Sequence, residues 1–236
     1  MVKYALSKGI DVVSVSRSGG PPDSDDSSFQ APESKVSWLK GDLLNLSEAV
    51  KEELKKSHGA ISCVGAFGSN EFMEKVNGDA NIAAIEAARE AGVVRYVYIS
   101  TVENNLPAFL LAGYFNGKRR AEKALMDTFQ QNATVMRPGF IYGTRQVPVS
   151  SSTSIGIPLW ALGKPLQIIC SLGPVAALRD LLPGMKAILA IPLPVEVVAK
   201  VAVDEAMKNS QEVESEVMEV MGTILSIPDI LKQSIR

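Results

Sequence analysis

The stretch Met1-Val2-Lys3-Tyr4-Ala5-Leu6-Ser7-Lys8-Gly9, followed by Asp11-Val12-Val13-Ser14-Val15-Ser16-Arg17-Ser18-Gly19, decides the fold. The first run reads as the last turns of a helix closed by a glycine stop. The second reads as a buried strand that ends in a basic turn. A helix leading into such a strand is the second half of a strand–helix–strand crossover. The strand that opens the crossover has no counterpart ahead of Met1 in this sequence. The chain therefore reads as a parallel α/β sheet entered one element late.

The alternation continues through about Arg145. Apolar strands are expected at 36–42, 60–65, 96–100 and 134–138, and helices at 48–56 behind Ser47, at 77–91 before Gly92, and at 114–129. Short apolar strands separated by helices predict a parallel sheet covered on both faces. Residues 20–34 and 147–154 read as solvated loops, 195–208 as a helix, and the residues after Gln211 as a polar tail ending in a short helix near Pro228. The division expected is 1–146 for the α/β domain, 147–210 for a small irregular C-terminal lobe integrated with it, and 211–236 for the tail.

Composition narrows the function. Of 236 residues, 46% are apolar and 21% charged, with a net charge of −2, so nothing electrostatic favours nucleic acid. The cluster Lys118-Arg119-Arg120, interrupted by Glu122, reads as a solvated helix face. Cys63 and Cys170 have no CxxC spacing, which argues against a disulfide framework or zinc site and fits a reducing compartment. The single histidine, His58, reads as an exposed cap before Gly59, not as part of a Ser-His-Asp system. Trp38 and Trp160 read as packing residues. No secretory signal opens the chain, and an organelle-targeting extension would lie upstream. Residues 156–191 are apolar and broken by Pro158, Pro165, Pro174 and Pro183. Their longest uncharged stretch, 165–178, is too short to span a bilayer, leaving a lobe suited to peripheral membrane or partner contact.

Chemistry-bearing residues collect where successive strands end, the place where an open α/β sheet binds its ligand. Arg17 ends the second strand, Gly41-Asp42-Leu43 the third, Val64-Gly65-Ala66 the fourth and Ser100-Thr101 the fifth. Tyr114 and Lys118 then follow in a YxxxK spacing, one turn apart on one helix face. A cation there can depress a phenol pKa and let the tyrosine exchange a proton with a carbonyl oxygen. YxxxK alone is a weak signal. Between a Ser-Thr strand end and Arg137-Pro138-Gly139-Phe140-Ile141-Tyr142-Gly143, it becomes specific.

With this set the chain resembles the extended and atypical short-chain dehydrogenase/reductase superfamily from Val2 to about Val203. More narrowly, it resembles organellar NAD(P)-binding Rossmann proteins related to accessory subunits of the ubiquinone-synthesis complex and of respiratory complex I. Residues 13–19, 63–70, 77–81 and 137–145 carry the narrower likeness. The resemblance implies a Rossmann-like doubly wound parallel sheet lacking its first strand. It implies that Ser16, Arg17 and Ser18 surround the adenosine ribose, with Arg17 favouring NADP over NAD. Asp42 and Leu43 would contact adenine, Val64, Gly65 and Ala66 would pass under the dinucleotide, and Pro138, Gly139, Phe140 and Ile141 would border the nicotinamide. Thr101 or Ser100 would orient a substrate oxygen, Tyr114 would be the acid/base, and Lys118 would hold ribose and tune Tyr114.

Plainer roles stand beside these. Arg17 is also a turn residue, Asp42 a turn or cap residue, Gly65 and Gly68 sites of close packing, and Tyr114 and Lys118 relics on a scaffold. The lead expectation is an NAD(P)H-linked oxidoreductase acting on a small-molecule or quinone-type substrate in the mitochondrion, or alternatively the chloroplast. The competing expectation is a non-catalytic Rossmann subunit of an organellar membrane-associated complex. The absent strand bears on both. In the order 3-2-1-4-5-6 it separates the second strand from the fourth and leads into the glycine turn that holds the pyrophosphate. Without it, dinucleotide binding is expected to be weak, and a gap or a closed seam is expected between the strands at 11–16 and 60–64. Losing about five buried apolar side chains costs on the order of 10 kcal/mol, comparable with a domain's net stability of about 5–15 kcal/mol. That loss is better explained by a shortened reading frame, an alternative start or an artificial boundary than by a new fold.

Overall fold

The computed structural model describes residues 1–21, 35–102, 111–150, 153–158, 191–208 and 222–235. Most of the loop expected at 20–34, Trp160, Cys170 and most of the apolar lobe at 156–191 lie outside the described residues.

The chain opens with α1 (Val2–Ser7), which closes as expected on Gly9. Gly9 adopts φ 73°, and the Ile10 amide reaches back to the Ala5 carbonyl at 3.0 Å, a Schellman stop. β1 (Val12–Ser16) and β2 (Val36–Lys40) then pair in parallel, Val12 opposite Val36 and Ser16 opposite Lys40. After α2 (Glu48–Lys55) come β3 (Gly59–Ser62), α3 (Asn70–Glu74), a π-helical turn (Lys75–Asp79), α4 (Ala80–Glu90) and β4 (Arg95–Ile99). α5 (Ala112–Phe129) leads to β5 (Ala133–Met136), followed by β6 (Ile141–Tyr142), β7 (Thr144–Ser150), β8 (Thr153–Pro158), β9 (Leu193–Pro194) and α6 (Val195–Met207). β10 (Thr223–Leu225) and α7 (Ile227–Ser234) complete the order. No helix among the described residues is long and apolar enough to cross a membrane.

The fold is α/β and Rossmann-like. A four-stranded parallel sheet has the order β10-β5-β4-β3. Along β4 the side chains alternate between two covered faces. Val97 and Ile99 join Met136 beneath α6 and α7, where Val198, Val201, Ala202 and Ile230 pack on them. Tyr96 and Tyr98 face the other way, against Ile85 and Ala88 of α4 and Ala121, Leu125 and Phe129 of α5. Two buried faces explain why 96–99 reads as a continuous apolar run and not as an alternation.

Between β1 and β3 there is no pairing, so β1-β2 stands as a separate two-stranded sheet. A cavity of about 1040 Å³ separates them, lined by β1, β3, α1, α2, α4 and α6. Of the two outcomes expected at this seam, the gap is the one found. Its mark is visible in β1, whose five residues are all only half-buried despite three valines.

Three local expectations are corrected. The helix at 77–91 is interrupted at its start by the π turn, because the buried side chains of Asn77 and Asn81 bond to main-chain carbonyls there. Of the loop expected at 147–154, residues 147–150 and 153–154 instead belong to the antiparallel pair β7–β8. Pro148 disguised it by interrupting the strand pattern, and it sits where the register shifts between Pro148 and Ser150. Within the polar tail, Thr223–Leu225 adds a parallel strand to β5, and the expected helix follows, capped by Ser226 and Asp229. Three residues are too few to carry a strand signal in sequence.

Candidate dinucleotide and catalytic site

The helix carrying the YxxxK residues is brought against the sheet by glycine. A Cβ on Gly113 would stand 1.9 Å from the Asn70 carbonyl oxygen, and one on Gly117 would stand 2.9 Å from the Gly78 amide nitrogen. Only backbone-to-backbone contact fits there. The pairs Gly113-Tyr114 and Gly117-Lys118 therefore act together: each glycine lets the next side chain reach the sheet's C-terminal edge.

Lys118 is 4% exposed. Its ammonium donates to the carbonyls of Ile99 at 2.9 Å and Val64 at 3.2 Å, and lies 4.7 Å from the Tyr98 ring centroid. Burial lowers its pKa from 10.5 to about 8, against the opposing pull of Cys63 and Glu122. Tyr114 stacks under Phe67, centroids 4.9 Å apart, and meets the edge of Phe115 at 5.2 Å. Its phenol pKa is raised by burial, with a hydrogen bond to the Thr101 side chain and the nearby Arg119 pulling it down. This corrects the expectation that Lys118 depresses the phenol. The ammonium is 5.9 Å from the Tyr114 centroid and is committed to two carbonyls.

Ser100 separates from the group it was placed with. It is buried and donates through its hydroxyl to Glu122, which also binds Arg119 and accepts from Arg137 Nη2 at 2.6 Å. Arg119 further donates to the Thr101 carbonyl at 2.9 Å. The structure thus brings Thr101, Tyr114 and Lys118 together and assigns Ser100 to a buried carboxylate–arginine knot beneath them. The basic cluster is likewise not a solvated face. Lys118 and Arg119 point inward, and only Arg120 lies outside, paired with Asp79 at 2.8 Å and Glu74 at 3.3 Å.

The Val64-Gly65-Ala66 segment leaving β3 is held by two buried residues with no role expected from sequence. Asn77 donates to the Ala66 carbonyl at 2.9 Å and accepts from the Ala66 amide at 3.2 Å. Asn81 accepts from the Ser62 hydroxyl at 2.6 Å and donates toward the Val64 carbonyl at 3.4 Å. The available signal was two asparagines four apart in an otherwise alanine-rich helix, where polar residues on the buried face need partners.

At the end of β1, where the adenosine ribose was expected, Arg17 is exposed. Ser16 and Ser18 share a hydroxyl contact at 3.1 Å, and Ser16 accepts from the Gly19 amide at 3.1 Å. Asp42 is exposed and accepts from the Leu44 amide at 3.1 Å, so it serves the turn it stands in. Pro138 is buried and Gly139 and Ile141 half-buried beside it, while Phe140 is 46% exposed. The residues around Arg17 thus follow β1 in the two-stranded sheet, and those from Pro138 to Ile141 follow β5 in the four-stranded sheet. Between them, among the described residues, no glycine turn at a helix N-terminus supplies a pyrophosphate cradle. Nor is any group of His, Cys, Asp and Glu among these residues arranged to hold a metal.

The chloroplastic protein At1g32220 of Arabidopsis thaliana is 40% identical over 210 residues, covering 88% of this chain and 66% of that protein. The mitochondrial protein FMP52-2 of Scheffersomyces stipitis is 30% identical over 113 residues, covering 47% of this chain and 48% of that protein. The chain thus spans less than two thirds of the length of these relatives. Among solved structures, MoeE5 in complex with UDP-glucose and NAD superposes with a TM-score of 0.58 at 17% identity, covering 99% of this chain and 75% of the other, a likeness of fold alone. Residues 1–153 match the model of the NAD(P)H-binding family. The chain therefore belongs to the NAD(P)H-binding family, with a Rossmann-like fold.

Proposed function

We propose that this chain forms the greater part of an organellar, NADPH-linked oxidoreductase that reduces a carbonyl of a planar, quinone-type substrate. The observation that carries the reading is the convergence of Thr101, Tyr114 and buried Lys118 at the C-terminal edge of β3 and β4. NADPH, when bound, supplies the hydride. Tyr114 gives its phenolic proton to the substrate oxygen that Thr101 orients, and the raised phenol pKa keeps that proton in place at neutral pH. Lys118 ties together the ends of β3 and β4 beside these groups. Exposed Arg17 matches a ribose 2′-phosphate. The aromatic faces of Phe67, 70% exposed, and Phe140, 46% exposed, suit a flat ring. The organellar assignment follows the chloroplastic and mitochondrial relatives.

One observation favours the second reading, a non-catalytic Rossmann subunit of an organellar membrane-associated complex: Phe67 lies flat on Tyr114. The test uses the chain with a strand and a G-x-G-x-x-G turn joined ahead of Met1. NADPH should bind more than about tenfold tighter than NADH, and Arg17→Ser should erase the difference. Tyr114→Phe should abolish quinone-dependent NADPH oxidation while leaving NADPH affinity unchanged. Turnover that survives Tyr114→Phe, or its absence with every quinone tried, rejects the enzyme reading.

A further inference from the structure

The main chain of Thr101 is held by a side chain, that of Arg119, and the way β4 ends shows why. The amides of Ser100 and Val102 donate to the Met136 and Pro138 carbonyls at 2.8 and 3.1 Å, carrying the ladder on past β5. Thr101, between them, turns its own N–H and C=O the other way. On that side β3 has ended at Ser62, opposite Tyr98, so no strand among the described residues meets the Thr101 carbonyl. Arg119 Nη2 meets it instead, at 2.9 Å, and reaches the Val102 carbonyl at 3.3 Å. Two residues earlier on the same edge, the Ile99 carbonyl is taken by Lys118 at 2.9 Å. Consecutive cations of α5 thus stand in for the strand partner that β3 no longer supplies.

Glu122 sets the aim of Arg119. It lies three residues on, a neighbour on the helix surface, and its buried carboxylate binds Arg119 Nη1. The same carboxylate takes the Ser100 hydroxyl, and Arg137 holds it from β5 through Nη2 at 2.6 Å and Nε at 3.2 Å. One carboxylate therefore gathers α5 and the ends of β4 and β5, and Arg119 is the arm that runs from it to Thr101. A guanidinium carries its donors in a rigid plane, so seating one nitrogen on Glu122 fixes where the other points. A lysine has the charge but not the fork. What Arg119 holds in place matters for the side chain of Thr101, whose hydroxyl hydrogen-bonds to Tyr114. Shifting the Thr101 main chain shifts that hydroxyl, and a hydrogen bond weakens steeply as its angle is lost.

We propose that Arg119 is a positioning residue of this site: aimed by Glu122, it fixes the Thr101 main chain so that the Thr101 hydroxyl meets the Tyr114 phenol. Its value to catalysis rests on the reading of Tyr114 as proton donor, whereas the linkage itself is measured without cofactor or turnover.

The protein is labelled with tyrosine carrying ¹³C at Cζ, whose NMR shift reports hydrogen bonding and ionisation of the phenol, and the Tyr114→Phe spectrum assigns the Tyr114 resonance. Thr101→Val removes the hydroxyl. It should move that resonance at neutral pH and raise the pH at which it titrates, because the Thr101 bond favours the phenolate. Arg119→Lys keeps a cation beside the phenol but loses the fork, and it should reproduce both changes. The double variant should shift no further than Thr101→Val alone, because the two substitutions break one link. The Arg119 side chain is 32% exposed, so a lysine there can reach water and the fold should survive. Should it not, Glu122→Gln removes the charge that aims Arg119 and carries the same comparison. An Arg119→Lys resonance that stays in place while that of Thr101→Val moves would mean a knot that only holds elements together, and would overturn the proposal. So would shifts that add in the double variant, or a Thr101→Val resonance identical to that of the parent. Turnover does not enter, so failure of this link and failure of the oxidoreductase reading are told apart.

Discussion

Lys118 and Ile99 are joined by a 2.9 Å hydrogen bond from the ammonium to the carbonyl, and a second bond at 3.2 Å carries the same ammonium to Val64. One side chain of α5 thereby ties together the ends of β3 and β4, the two strands whose C-terminal turns form the middle of the site. The lysine does this from a buried position, which makes its charge costly and its titration informative.

In the folded chain Lys118 releases its proton near pH 8, whereas in an unfolded chain it keeps the proton to about 10.5. Between these values the unfolded state binds more protons, so the free energy of unfolding rises with pH through that window. The slope is at most about 1.4 kcal/mol per pH unit, and the whole rise is roughly 3 kcal/mol. Below pH 8 the buried ammonium opposes folding, and its contribution no longer changes. Lys118→Met should flatten the rise. Urea melts of both proteins followed by circular dichroism, between about pH 7 and pH 10, give the difference directly.

Gly113→Ala should be more damaging than Gly117→Ala. The new methyl would stand 1.9 Å from a backbone oxygen in the first case and 2.9 Å from a backbone nitrogen in the second. Neither neighbour is a flexible side chain, so α5 must move away from α3 and the π turn. Gly117→Ala should cost about 1–3 kcal/mol, and Gly113→Ala more than that. Thermal unfolding of the two variants checks the order, and equal stability would mean that α5 is free to shift.

Asn77→Ala should destabilise by about 1–3 kcal/mol, because it orphans the Ala66 amide and leaves the half-buried Ala66 carbonyl and the buried Met73 carbonyl short of a donor. Asn77→Asp should be no milder, since it keeps the shape but loses the donor to the Ala66 and Met73 carbonyls. Hydrogen exchange at Ala66 separates this local effect from global unfolding. Its protection should fall more than that of the β4 amides.

How far these features were legible in sequence depends on the distance over which each is determined. β4 was readable because two buried faces force an unbroken apolar run, and the glycine stop at Gly9 because positive φ is a local demand. The gap was readable because a helix and strand that begin a parallel sheet imply a partner strand. The Lys118–Val64 bond was not, because 54 residues separate its ends. The YxxxK spacing announced that Tyr114 and Lys118 share a face, yet the direction of the ammonium depends on which carbonyls the strand ends leave unpaired. Ser100 and Thr101 are neighbours in sequence but have opposite fates, since successive residues at a strand end face opposite ways. Glu122 and Arg137, which claim Ser100, lie on other elements.

Phe67→Ala should uncover Tyr114. The two rings are stacked at 4.9 Å with 11° between their planes, and Phe67 itself is 70% exposed, so it shields the phenol ring while remaining solvated on its outer face. Burial is the leading cause of the raised Tyr114 pKa. Admitting water therefore stabilises the phenolate and moves the pKa down toward the usual value near 10. The stack contributes about 0.5–1.5 kcal/mol, a modest stability loss that leaves the fold intact for the measurement. Ultraviolet titration of phenolate absorbance in the Phe67→Ala protein, with the same titration of a Phe67→Ala/Tyr114→Phe protein subtracted, isolates this one tyrosine. A phenol that titrates no earlier without Phe67 would mean that the sheet edge and Thr101, and not the stacked ring, set the proton's hold on Tyr114.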